Sequence, residues 1–192
     1  YLGDVKYVDV NNDGAIDERD KTVIGNPHPD FTFGFTNTFR YKNFDLSVFL
    51  QGSVGNDIMN LTYRNGTSNS QLYQNALTDA LNYWTVDNPN TNIPRPIGAL
   101  SNTNLEISDR YVEDGSYFRL KTINLNYNFG SVIKGISNLS VFGTVTNVFT
   151  ITGYSWFDPD VNAFGSDASR RGVDIFSYPS SRTYSIGFKL TL

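Results

Sequence analysis

Arg182-Thr183-Tyr184-Ser185-Ile186-Gly187-Phe188-Lys189-Leu190-Thr191-Leu192 is the stretch whose reading decides the fold. Tyr184, Ile186, Phe188, Leu190 and Leu192 fall on one side of an extended chain. Thr183, Ser185, Gly187, Lys189 and Thr191 fall on the other, because successive strand side chains point to opposite faces. At roughly 3.4 Å per residue and a tilt of about 45°, such a strand climbs roughly 25 Å, the height of the apolar band on an outer-membrane barrel. Two settings use a two-faced strand of this length: the wall of a barrel and the edge of a soluble sheet.

The same alternation recurs upstream. Phe31, Phe33, Phe35, Phe39 and Tyr41 oppose Thr32, Gly34, Thr36, Thr38 and Arg40. A turn at Lys42-Asn43 leads into Phe44, Leu46, Val48 and Leu50, so a tight β-hairpin is expected. A third strand is expected over about 116–129, where Ile123, Leu125, Tyr127 and Phe129 oppose Asn124, Asn126 and Asn128. Phe118 and Leu120 are out of phase with it, which a β-bulge near Lys121-Thr122 or a change of environment at a membrane boundary explains. A fourth, over about 138–151, puts Leu139, Val141, Val145, Phe149 and Ile151 on one face. Residues 1–8 read as a further short strand. Leu72, Ala76, Leu77, Ala80, Leu81 and Trp84 recur at helical spacing, so one helix is expected over 70–84, capped by Ser68, Asn69 or Ser70.

The connections discriminate between the two settings. They run short at 42–43, long at 52–115, short at 130–137 and long at 152–181. With antiparallel strands, every short turn lies at one end and every long loop at the other. Transmembrane barrels have this asymmetry, and sandwiches carry loops at both ends. The expected fold class is therefore all-β: five antiparallel strands of a large transmembrane barrel, with long outer loops holding one short helix. Five strands are too few to close a pore, and the outermost strands each need a neighbour, because lipid tolerates no unpaired sheet edge. The chain, which opens on Tyr1 and not on Met, is expected to be the C-terminal part of a larger protein. The alternative is a secreted, calcium-stabilised β-sandwich that binds glycans.

Composition agrees. Aromatic residues make up 15% of the chain, and it has no cysteine, which removes disulfides, thiolate metal sites and cysteine nucleophiles. A net charge of −4 argues against nucleic acid as a partner. No apolar run approaches the ~20 residues of a membrane helix, which leaves barrel strands open.

One loop points to a metal. Over 9–20, Asp9, Asn11, Asp13, Asp17 and Asp20 place side-chain oxygens at positions one, three, five, nine and twelve of a calcium loop. Gly14 stands where that loop turns sharply, and Ala15 offers a carbonyl. Asp20 replaces the usual glutamate, and its shorter arm reaches less easily for bidentate coordination. A structural Ca2+ is expected here. The competing reading is a turn whose Asp and Asn side chains cap their own backbone.

These residues also carry a resemblance. The run Gly3-Asp4-Val5-Lys6-Tyr7-Val8-Asp9-Val10-Asn11, followed by Asp13-Gly14, Thr22-Val23-Ile24-Gly25-Asn26-Pro27 and Pro29-Asp30-Phe31-Thr32-Phe33-Gly34-Phe35, resembles the C-terminal region of the SusC/RagA family of TonB-dependent outer-membrane transporters of Bacteroidota. Phe44 to Gly52, Tyr83-Trp84-Thr85, Asn88-Pro89-Asn90-Thr91, Ser108 to Tyr117, Arg119-Leu120-Lys121, Asn147-Val148-Phe149, Tyr154 and Asp158-Pro159-Asp160-Val161-Asn162 fit in the same order. The resemblance covers essentially the whole chain, residues 1–192. It implies a barrel of about 22 strands, a plug inside it and a SusD-like surface lipoprotein as lid. It implies energised import of oligosaccharides or peptides, with plug and TonB contact upstream of this chain. Ser185, Gly187, Leu190 and Leu192 resemble the signal read by the barrel-assembly machinery, although Leu192 stands where many such proteins end in an aromatic residue.

Tyr63, Tyr73, Tyr83, Trp84, Tyr111, Tyr154 and Trp156 are candidates for stacking on a substrate such as a sugar ring, or equally for packing loops and lid. Strand-end aromatics Tyr41, Phe44, Tyr127 and Phe129 fit an interfacial girdle. His28, the only histidine, reads as surface structure. No triad, metal cluster or nucleotide loop marks an enzyme.

Overall fold

The computed structural model describes residues 2–68, 75–96, 103–131, 135–161, 163–165 and 167–192. They form two compact units. The first takes in Tyr1–Asn26, Ile58–Glu113 and Asn162–Ser177; the second takes in Pro27–Asp57, Asp114–Val161 and Tyr178–Leu192.

The second unit is built on five long strands: β1 (Phe31–Tyr41), β2 (Phe44–Val54), β5 (Tyr117–Gly130), β6 (Asn138–Thr152) and β8 (Thr183–Thr191). They pair antiparallel in the order β1-β2-β5-β6-β8, each beside the next long strand in the sequence. This is the expected meander, and all its short connections leave from one end. Lys42 makes the two-residue turn possible by adopting a left-handed φ of 53°.

The bulge stands where the phase slip placed it. Phe49 pairs with Thr122 and Leu50 with Leu120, so Lys121 is the extra residue. The alternation of β6 hides a matching insertion: Leu120 faces Phe149 while Thr122 faces Thr146, and Asn147 turns through a φ of 51°. Together the two insertions return Leu120 and Phe149 to the face that holds Ile123 and Val145.

Among its described residues the first unit carries three short strands, β3 (Asp57–Asn60), β4 (Val112–Asp114) and β7 (Val173–Asp174), in the order β4-β3-β7. β3 and β7 run parallel, with Met59 beside Val173 and Asn60 beside Asp174. Among its described residues the buried apolar side chains are Ile58, Ala80, Ile93 and Tyr111.

Two expectations need correction. No strand forms over the described residues of 1–8. Gly3 takes a φ of 83°, and the Val5 amide donates to Asn104 Oδ1, so side chains and not a ladder hold the segment. Among the described residues the α-helix is α1 (Leu61–Thr67), and not the expected segment 70–84. Within 70–84 the described residues hold only a 3-10 turn at Thr78–Asn82; Leu72 and the proposed caps Asn69 and Ser70 lie outside the described residues. α1 has poor intrinsic propensity, with two threonines, an asparagine and a glycine. Its ends are held by side chains: Asn60 Oδ1 accepts from the Tyr63 amide, and Thr67 Oγ1 donates to the Tyr63 carbonyl. Among the described residues no helix is long and apolar enough to cross a membrane, which says nothing of strands.

Candidate functional site: a two-faced wall and its loops

Cross-strand register assembles the apolar side chains into rows. Tyr41, Phe44, Tyr127, Val141 and Phe188 form a row near the short connections. Phe39, Leu46, Leu125, Gly143 and Ile186 come next, then Asn37, Val48, Ile123, Val145 and Tyr184. Beyond the bulge follow Phe35, Leu50, Leu120 and Phe149, then Phe33, Gly52, Phe118 and Ile151. The face is open: Ile186 is 86% exposed and Phe188 71%. A sandwich buries such a face under a second sheet, so the sandwich alternative fails here. An open apolar face of this extent marks contact with another apolar phase or partner.

The other face is polar. Thr38, Ser47, Asn124, Thr144 and Ser185 share one row, and Gln51, Arg119 and Thr150 share another. Asn124 donates to Thr144 Oγ1 at 2.6 Å across it. At the short-turn end the Phe44 and Tyr127 rings meet edge to face at 4.5 Å, as do Tyr127 and Phe129. Lys42 Nζ stands 5.4 Å from the Tyr41 ring centre. Rings with one apolar and one wet side fit an interface of this kind.

Arg119 is the polar face's most buried side chain, at 2% exposed. Nothing in its local sequence signals this, because its partners come from the loop after β6. Arg119 Nε donates to Thr150 Oγ1 at 2.8 Å, Nη2 pairs with the Asp158 carboxylate, and Nη1 lies 3.8 Å from Asp160 Oδ2. Its guanidinium also lies 5.0 Å from the Tyr117 ring centre. Burial alone pushes the Asp158 carboxyl up, but the Ser180 side chain, the Asp160 amide and Arg119 outweigh it and hold it below its ordinary value.

The first unit is held by buried polar groups. Asn60 and Asp174 are fully buried. Asn60 Nδ2 donates to Glu113 Oε1 at 2.8 Å, the Ser177 amide donates to Asp174, and the Phe176 amide donates to Thr62 Oγ1. Arg95 grips both oxygens of Asp4 at 2.8 Å, and the Asn104 amide adds a third bond. Arg95 holds the Asp4 carboxyl far below the usual carboxylate range.

The acidic loop closes on itself. Asp9 accepts from the amides of Asp13 and Gly14, Asn11 from Asp13, Asp13 from Ala15, and Asp20 from Val10 and Asp17. The Arg19 guanidinium sits 2.7 Å from Asp13 and 2.8 Å from Asp17. Arg19 lowers the pKa of Asp17, and the Asp17 amide lowers that of Asp20. Among the described residues no three acidic or histidine side chains are gathered as a metal site.

The loop aromatics separate by burial. Tyr111 and Tyr154 are packed inside their units at 3% and 5% exposed. Tyr63 lies half-buried on α1, where burial raises its pKa. Trp84 lies against Gly3, so closely that a Cβ there would sit 2.4 Å from the ring. Tyr83 pairs by a β-bridge with Ile93. Trp156 meets the exposed Phe157 with the rings tilted by 59° and their centres 4.7 Å apart. Tyr73 lies outside the described residues. In β8, Ser185 and Gly187 take the polar face, opposite Thr144 and Phe142, while Leu190 faces Leu139 on the apolar side. Leu192 follows the strand, exposed.

A meander open on an apolar face, polar behind, and joined briefly at one end only is a segment of a membrane-type β-barrel wall. No family model matches the chain. Curated relatives do. It is 38% identical over 196 residues to TonB-dependent receptor P26 of Formosa agariphila, covering 99% of this chain and 20% of the relative. It is 30% identical over 191 residues to TonB-dependent receptor SusC of Bacteroides thetaiotaomicron, covering 96% and 17%. Among solved structures, that of the RagAB peptide transporter superposes with a TM-score of 0.69 at 26% identity, covering 85% of this chain and 17% of that one. The chain belongs to the SusC/RagA-type TonB-dependent receptors, and it spans about a fifth of the length of the curated relatives it matches.

Proposed function

We propose that the chain supplies wall strands and outer loops of an outer-membrane importer of oligosaccharides or peptides. The observation that carries this is the exposed apolar face, backed by a mainly polar one. The first face meets membrane lipid and the second lines the water-filled interior. β1 and β8 pair on with further strands of the same barrel, which encloses a plug. The SusC and RagAB likenesses support a surface lipoprotein of SusD type as lid and coupling to TonB through parts outside this chain. The protein moves its solute unchanged, with no catalysis. The test is growth of cells lacking the full-length receptor on single oligosaccharides or peptides as sole carbon source. Loss of growth on one such class, restored by the intact gene, is expected. Unimpaired growth and uptake on every class would refute it.

Within this reading Tyr63, Tyr83, Trp84 and Trp156 are the loop aromatics we assign to solute contact. Ser185, Gly187, Leu190 and Leu192 form the assembly signal. We also propose that Ca2+ replaces the Arg19 guanidinium among the carboxylates of the 9–20 loop. Asp9, Asn11, Asp13, Asp17, Asp20 and the Ala15 carbonyl would be the ligands, pinning the segment that leads into β1. Spacing and the left-handed Gly14, with a φ of 82°, support it. Protease cleavage within 9–20 of the full-length receptor should slow with millimolar-range Ca2+ and speed with chelator; equal rates would remove the metal.

A further inference from the structure

We propose that Gly187 is a seat for the Phe142 ring, and that this ring-on-glycine joint sets the register of β8 on β6. The inference rests on the barrel-wall reading above. Phe142 and Gly187 are directly paired across the two strands. A Cβ built on Gly187 would lie 2.6 Å from the ring tip and 3.0 and 3.2 Å from the two carbons beside it. The ring therefore lies across the glycine backbone, in the space any other residue would fill. The glycine is required for room and not for backbone conformation, since no left-handed φ marks it.

The arrangement recurs. The polar face carries two phenylalanines in its paired rows, Phe49 and Phe142, and each leans on a glycine of an outermost strand. Phe49 of β2 lies 3.3 Å from a Cβ built on Gly34 of β1. Both rings are half-buried. The seat is not confined to the polar face: on the apolar face Phe33 of β1 is paired with Gly52 of β2, and a Cβ there would lie 2.4 Å from the ring. A ring laid over a bare backbone covers apolar surface on either wall. A strand slipped by two residues keeps its faces but sets Phe142 against Ser185 or Lys189, which leave no room for it. Hydrogen bonding alone leaves such a slip cheap. The joint makes it costly, at the strand that has one neighbour within this chain.

Gly143 supplies the control. It lies in β6 beside Phe142, it is also cross-strand paired, and a Cβ there would come no closer than 4.0 Å to its neighbours. If glycine as such matters in these strands, Gly143→Ala and Gly187→Ala should be alike. If the seat matters, they differ.

The experiment uses the full-length receptor, followed by heat-modifiable mobility in cells and by refolding from urea into phosphatidylcholine vesicles without assembly proteins. Gly187→Ala should lower the folded yield roughly tenfold in both settings, as overpacking does. Gly143→Ala should match wild type. Phe142→Ala combined with Gly187→Ala should recover the yield of Phe142→Ala alone, because the added methyl then meets no ring. A double variant as impaired as Gly187→Ala would overturn the proposal. So would a Gly187→Ala receptor that refolds normally in vesicles yet fails in cells, since the glycine would then be read only by the assembly machinery. Failure of the wild-type receptor to enter vesicles at all would count against the wall reading instead.

Discussion

Replacing Arg119 by methionine should destabilise the loop that follows β6 by about 3–5 kcal/mol, the usual cost of leaving one member of a buried ion pair unpartnered. Arg119 is fully covered, and it is the cation that faces Asp158. Methionine keeps the bulk of the stem and removes the charge, so Asp158 keeps its burial and loses its main cationic partner. Protonation is its way out. The Asp158 carboxyl is held below its ordinary value in the intact protein. A depressed carboxylate contributes stability that is present above the unfolded pKa, about 4, and is lost as pH falls through the lower folded value. The Arg119→Met loop should keep only the part of that acid-sensitive stability that the Ser180 side chain and the Asp160 amide supply, and should open more readily than wild type already at neutral pH. Limited proteolysis within 153–161 of the full-length receptor, followed from pH 8 to pH 3, measures both effects. Cleavage rates that match wild type across that range would contradict the role given to Arg119.

Replacing Ile186 by lysine should cost about 2–4 kcal/mol, and replacing Ser185 should cost almost nothing. The two residues are adjacent in β8 and differ only in the face they occupy. Ile186 stands in the row of Phe39, Leu46 and Leu125, near the middle of the apolar band, where a charged amine has neither water nor a counter-ion. Ser185 stands in the row of Ser47, Asn124 and Thr144, against water. Urea unfolding of the assembled receptor in lipid gives the differences directly. A cost at Ser185 equal to that at Ile186 would mean that both sides of the sheet meet the same medium.

The wall was legible in the sequence because period-two alternation is a local signal, repeated on every long strand. Even the bulge at Lys121 left a trace, since an inserted residue shifts the phase of Phe118 and Leu120 against Ile123 and Leu125. The partner insertion at Asn147 left none, because β6 gains residues without changing the parity of Val145 and Phe149. The loops were legible only as loops. α1 is made of residues that favour other states and is held by Asn60 and Thr67, whereas over the described residues 75–84 helical spacing gives only a 3-10 turn. The Arg119–Asp158 pair joins residues 39 apart, and periodicity says nothing about contacts at that range. Tyr111 and Tyr154 look like solvent-facing rings in polar surroundings, yet they are buried.

The most direct test of the wall is a nitroxide scan of β8, with single cysteines at positions 183 to 191 of the full-length receptor in lipid bilayers. Collisions with dissolved oxygen, which concentrates in lipid, should peak at 184, 186, 188 and 190. Collisions with a water-soluble nickel chelate should peak at 183, 185, 187, 189 and 191. Equal exposure of both sets to the chelate, or oxygen maxima on the polar side, would contradict the account.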